Sequence, residues 1–196
     1  LARVLDLFDG PIYGARSAIV LEMIDASALL WRLHLRGVDV GDRWNDLADK
    51  WLPLAGAGNY AFNDAHAMLA FVGAGRSQPA LDLLNAQEQA LRKSDDNARF
   101  LSDVGSPVTR AILAFGLGEY AEAVELLRPV RNHSHRFGGS HAQRDLIDLT
   151  LIEAATRGGQ HRLAAALIAE RGSARPGNPA VGRLALRLPQ EAQAAA

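Results

Sequence analysis

The feature that most constrains this chain is a unit that recurs: an apolar stretch of helical period, a glycine turn, then a second helical stretch. The turn glycines Gly75, Gly118 and Gly159 lie 43 and 41 residues apart. Five residues after each stands a small residue, Ala80, Ala123 or Ala164, and four further on a large one, Leu84, Leu127 or Ile168. Glycine permits a tight turn between helices. The alanine lets the two helices approach closely, and the large side chain one turn later fills the gap beside it. A single hairpin would leave an apolar face wet, so neighbouring units must stack. Alternation of period two is scarce. The expected fold class is therefore all-α, an α-solenoid of helical hairpins.

The pattern predicts hairpins over about 17–54, 63–92, 106–131 and 140–171, inside one array spanning 1–188, with a frayed tail over 189–196. The first hairpin is the least regular. Its first helix is apolar nearly all round, through Ile24, Leu29, Trp31 and Leu33, which predicts burial on several sides. Gly37 is expected to end that helix, and Asp42 to cap the next. Trp31, Trp44 and Trp51 are expected to pack in the core. Extra residues between hairpins fall at 93–105 and 133–139. The first eight residues read as the tail of a helix, as in a fragment of a longer protein.

The second unit, with Gly118, Tyr120, Ala123 and Leu127, resembles the second half of a tetratricopeptide repeat. The third matches at Gly159, Ala164, Ile168 and Pro176, with His161 in place of the aromatic residue, and the first keeps Gly75, Ala80 and Leu84. The spacing exceeds the usual period of about 34 residues. Three further segments resemble the tetratricopeptide repeat protein 38 family: DASALLWRL at 25–33, FNDAHAM at 62–68 and GGSHAQRDLIDLTLIEAA at 138–155. The resemblance implies a C-terminal portion of a protein roughly twice as long. It implies no particular reaction, and no catalytic residue is carried over from it.

Bulk properties narrow the function classes. The 196 residues are 48% hydrophobic and 22% charged, a globular composition. The net charge of −1 gives no electrostatic reason to expect nucleic acid or an anionic membrane surface. The chain has no cysteine, which removes disulfides, thiolate metal sites and cysteine nucleophiles together. The most apolar stretch, 15–35, is interrupted by Arg16, Glu22, Asp25 and Arg32, too charged to span a bilayer. No signal peptide is legible, and a cytoplasmic protein is expected. Positive charge is nearly all arginine, with lysine only at Lys50 and Lys93. This reads as the coding bias of a GC-rich genome.

Histidines supply the one candidate polar cluster. His66 follows Asp64, and His141 opens a helix with Arg144 and Asp145 one turn on. If the hairpins stack in register, His66 and His141 come near the starts of corresponding first helices. His66, His141 and Asp145 would then form a metal or acid–base site, with Arg144 binding an anion. The plain reading is structural: Asp64 as a helix cap, His141 and Asp145 as a hydrogen-bonding pair at a helix start, His133 and His135 as solvated loop residues. Spacing of the HExxH kind is missing, so neither a metal nor a cofactor is assigned. The G-x-G runs at 73–75 and 116–118 have no strand before them, which argues against a phosphate loop.

In such a repeat the first helices line a concave groove. The lining positions here are Ala65, Leu69, Val108, Ile112, Leu149 and Glu153, flanked by His66, Thr109 and Thr150. None is Lys, Arg or Asn, so a clamp for a peptide carboxylate is not expected. An apolar groove of this kind must pack on something: the missing N-terminal half of the same chain, or an apolar ligand or helix. The expected function is an interaction scaffold that binds a protein or peptide through this groove. The alternative is an enzyme or small-molecule binder with a polar site around His66, Asp64, His141, Arg144 and Asp145, closed by the missing half.

Overall fold

The computed structural model describes residues 2–193, and among these every regular element is helical. The helices are α1 (Ala2–Leu7), α2 (Val20–His34), α3 (Arg43–Trp51), α4 (Ala61–Gly73), α5 (Ser77–Ala90), α6 (Asp96–Phe100), α7 (Ser106–Gly116), α8 (Tyr120–Val130), α9 (His141–Arg157), α10 (His161–Ala174), α11 (Pro179–Ala185) and α12 (Gln190–Gln193). None is long and apolar enough to cross a membrane.

One turn chemistry joins the helices of each pair. Gly37, Gly75, Gly118 and Gly159 take left-handed backbone, with φ of +69°, +67°, +79° and +73°. In each turn the glycine N–H donates three residues back, and the next N–H reaches five back, as Arg76 N to the Phe71 carbonyl and Glu119 N to Ala114. This double bond pattern satisfies carbonyls that a helix end otherwise leaves open. The expected Ala80, Ala123 and Ala164 are buried where the paired helices meet.

The connectors differ from expectation. Residues 93–105 are mostly helical: Asp95 caps α6 by accepting from Ala98 N at 2.8 Å, and a π-helical turn, Leu101–Gly105, runs without a break into α7. Leu101 and Val104 bury their side chains there, which holds the extra turn in place. The later connector forms a 3-10 stretch, Arg131–Phe137, anchored by the Phe137 ring against Phe62 at 5.4 Å. Asp42 stands before α3 without a side-chain capping bond. Asp64, another expected cap, lies inside the first turn of α4, which Tyr60 precedes. Past residue 171 the chain continues into α11, capped by Asn178, and α12, where Ala192 is buried; 194–196 and residue 1 lie outside the described residues.

The packing order sets the site. First helices α2, α4, α7 and α9 form an inner layer, with α2 on α4, α4 on α7 and α7 on α9. Helix α2 also packs on α9, so the inner layer closes on itself. Trp31 of α2, fully buried, donates from Nε1 to Thr150 Oγ1 of α9 at 2.9 Å and meets Phe115 of α7 edge-on at 5.6 Å. The face expected to form an open groove is therefore covered over most of its length by α2. Ala65, Leu69, Val108, Ile112 and Glu153 are buried, because the four inner helices converge and α2 covers most of the face, while Leu149 is partly exposed and, with Glu153, borders a cleft at its far end. The space left there, bounded by Phe62, His66, Ile112 and Thr150, is about 30 Å³, the size of one water molecule.

The three segments singled out by resemblance meet one another. Arg32 Nη2 donates to the Ala142 carbonyl, and Gln143 Nε2 to Asp25 at 3.4 Å. Gly138 and Gly139 lie against Tyr60 and Phe62, so closely that a Cβ on either would strike the ring system opposite.

Candidate functional site

The five sequence-predicted site residues occupy separate environments. Asp64 is buried and accepts from Gln87 Nε2 at 3.1 Å; the same nitrogen also donates to Thr109 Oγ1 at 3.1 Å. Burial raises the Asp64 pKa to about 6, against the opposing effect of the Gln87 hydrogen bond. His66 is buried, with Nδ1 2.8 Å from the Phe62 carbonyl and Nε2 without a partner. Burial lowers its pKa to about 4, outweighing that backbone bond. His141 is exposed at the start of α9, its Nδ1 3.4 Å from Arg144 Nη2. Arg144 donates to the carbonyls of Gly138 and Gly139.

Asp145 faces elsewhere. It holds Arg171 through two bonds of 2.6 and 2.8 Å and Arg175 at 3.1 Å. Burial raises its pKa, but the Arg171 bonds and charge and then Arg175 lower it further, so the net shift is downward. The expected His141–Asp145 pair is thus replaced by an Asp145–Arg171 pair, because the carboxylate points toward α10. His66, His141 and Asp145 assemble no shared ligand set; no group of three or more His, Asp or Glu fit to hold a metal ion occurs among the described residues.

What Asp145 does line is a cleft of about 680 Å³ between the end of α2, the flank of α9, α10 and α11. A volume of this size lies in the range of small-molecule sites. Five arginines line it, Arg32, Arg36, Arg171, Arg183 and Arg187, against two carboxylates, Asp145 and Glu153. Apolar surface comes from Leu35, Val38, Leu149, Leu184 and Leu186.

Both carboxylates are already satisfied. Glu153, 2% exposed, accepts from Arg187 at 2.6 and 2.7 Å and from Arg157 at 2.6 Å. Three guanidinium groups remain over. Arg32 is half-buried and spends its donors on main-chain carbonyls, Ala28 at 3.0 Å and Ala142. Its pKa is lowered first by burial; Asp145 works the other way, and Arg171, Arg36 and Arg175 lower it further. Arg32, Arg36 and Arg183 have no carboxylate within ion-pairing distance among the described residues. A partly desolvated cleft with this surplus of cations attracts an anion, and guanidinium forks match carboxylate and phosphate oxygens two at a time.

The sequence did carry a signal for this cleft. Arg32 and Arg36, Arg171 and Arg175, and Arg183 and Arg187 are each four residues apart. In each pair the first arginine lies in a helix and the second just past its end, at α2, α10 and α11, so each pair marks a basic helix C-terminus. Reading arginine usage as coding bias hid this pattern.

The fold and cleft define a class: an all-helical protein of helices packed against one another, with an arginine-lined pocket on its flank. No family model matches the chain, and no solved structure matches it.

Proposed function

We propose that this protein binds a small anionic ligand in the cleft between α2, α9, α10 and α11, and that it acts as a binding protein rather than through the histidines. The hairpins read as tetratricopeptide-like, supported by the repeated glycine turn and the buried alanine five residues on. The observation that carries the functional reading is Arg32: a half-buried guanidinium on the cleft wall, with Arg171, Arg36 and Arg175 acting against its charge and Asp145, already bound to Arg171 and Arg175, acting for it. A half-buried guanidinium outnumbered by neighbouring like charges is stabilised by a further anion. Asp145 and Glu153 are each bound by two arginines and serve as ties that hold α10, α9 and residue Arg187 around the cleft. This reading is preferred over a peptide-binding groove because α2 already occupies the face of the first helices.

The test is calorimetric titration and thermal melting of the whole protein with inorganic phosphate and with carboxylates from acetate to octanoate at fixed ionic strength. Saturating anion at a hundred times Kd is expected to add about 2.7 kcal/mol of stability. Arg183→Met removes an exposed, unpartnered cation and is expected to keep the fold while weakening binding several-fold. Arg32→Met should weaken it further. Anion binding that both variants leave untouched, or no binding at all, overturns the proposal.

A further inference from the structure

Resting on the anion-cleft reading, we infer that the ligand is amphiphilic: one anionic head on an apolar body, of the chemical class of medium-chain carboxylic acids and their alkyl phosphate counterparts. Three features of the cleft lead there.

The first is the ratio of space to charge. A bare phosphate or carboxylate fills only a small part of about 680 Å³. The remainder is bounded by Leu35, Val38, Leu149, Leu184 and Leu186, together with the aliphatic stems of the arginines. Apolar walls bounding so much room match an apolar body.

The second is the sign pattern. Two of the seven charged lining residues are carboxylates, Asp145 and Glu153, and Glu153 is almost fully buried. A polyanion that filled the whole cleft would meet them. A single head can sit on Arg32, Arg36 and Arg183, the lining arginines that neither carboxylate holds in an ion pair.

The third is Leu186. It lines the cleft and is 75% exposed, the most exposed large apolar side chain among the described residues. It stands directly before Arg187, which is fixed to Glu153 by two hydrogen bonds. A leucine held wet at the mouth by a rigid neighbour is placed to cover an apolar chain.

The experiment is calorimetric titration of the whole protein with acetate, hexanoate, octanoate and decanoate, then octyl phosphate, octanol and inorganic phosphate, all below their aggregation thresholds. Affinity is expected to rise about fourfold per added methylene until the chain outgrows the cleft. One ligand should bind per chain, and octanol should bind far more weakly than octanoate. Whichever of octyl phosphate and octanoate binds more tightly identifies the preferred head. Leu184→Ser should flatten the dependence on chain length, while Arg183→Met should weaken every anion by a similar factor. Inorganic phosphate or acetate binding as tightly as octanoate overturns the amphiphile and leaves the anion cleft standing. Octanol binding as tightly as octanoate overturns the anionic head. No binding by any member overturns both this inference and the function it rests on.

Discussion

The Trp31 indole donates to the Thr150 hydroxyl at 2.9 Å across 119 positions of sequence, the buried member of the bonds that fasten α2 to α9. Thr150 Oγ1 donates in turn to the Leu146 carbonyl at 2.7 Å, so the hydroxyl accepts and donates at once in a buried site. Thr150→Val keeps the branched shape and removes the acceptor, leaving the indole N–H buried and unpaired. A loss of about 1–3 kcal/mol is expected. Urea unfolding with an unchanged midpoint would show that α2 is not fastened to α9 in this way.

Two glycines with the same backbone conformation should respond differently to alanine. Gly139 has φ of +80° and its added Cβ would drive into the Phe62 ring; Gly159 has φ of +73° and open space around it. Gly159→Ala carries only the left-handed conformational cost, about 1–2 kcal/mol. Gly139→Ala adds overpacking and is expected to cost about 2–5 kcal/mol. Equal melting temperatures for the two variants would contradict the close approach of the α9 leader to α4.

Ala123 is fully buried five residues after the Gly118 turn, where α7 and α8 pack. Ala123→Leu adds three carbons to a junction with no room for them. The expected cost is about 1–3 kcal/mol, read as a lower urea midpoint at unchanged slope. A parent-like midpoint would mean that the alanine is not a close-approach residue.

The hairpins were legible because their signals are local: a glycine that must turn left, an alanine and a leucine at fixed offsets. The wrap of α2 onto α9 was not, since it depends on how far the inner layer curves, which no local pattern records. The same gap kept the candidate histidines from meeting. His66 and His141 look equivalent by position in their repeats, yet the curvature buries the first and exposes the second. The cleft draws Arg32 and Arg36 from one end of the sequence and Arg183 and Arg187 from the other, so their meeting is a property of closure. What the sequence held was the four-residue spacing of each pair.

Two groups on α4, Asp64 and His66, have their pKa values moved in opposite senses. Asp64 has its pKa raised from the ordinary 3.8 to about 6, chiefly by burial. His66 has its pKa lowered from 6.5 to about 4, again chiefly by burial. Between about pH 4 and 6 the folded protein therefore holds the Asp64 proton and leaves His66 neutral, while the unfolded chain holds the His66 proton and leaves Asp64 ionised. Each state binds one proton on the pair, so the pair contributes almost no slope of stability against pH in this window. Either residue alone does. In Asp64→Asn only His66 remains, the unfolded chain binds more protons, and stability should rise with pH by up to about 1.4 kcal/mol per unit. In His66→Leu only Asp64 remains, the folded state binds more protons, and stability should fall with rising pH by a similar slope. Urea unfolding of the parent and both variants at pH 4, 5 and 6 reads this directly, with each variant's slope taken relative to the parent. Slopes of opposite sign in the two variants are expected. Parallel slopes would mean that Asp64 and His66 are not both held neutral inside the fold.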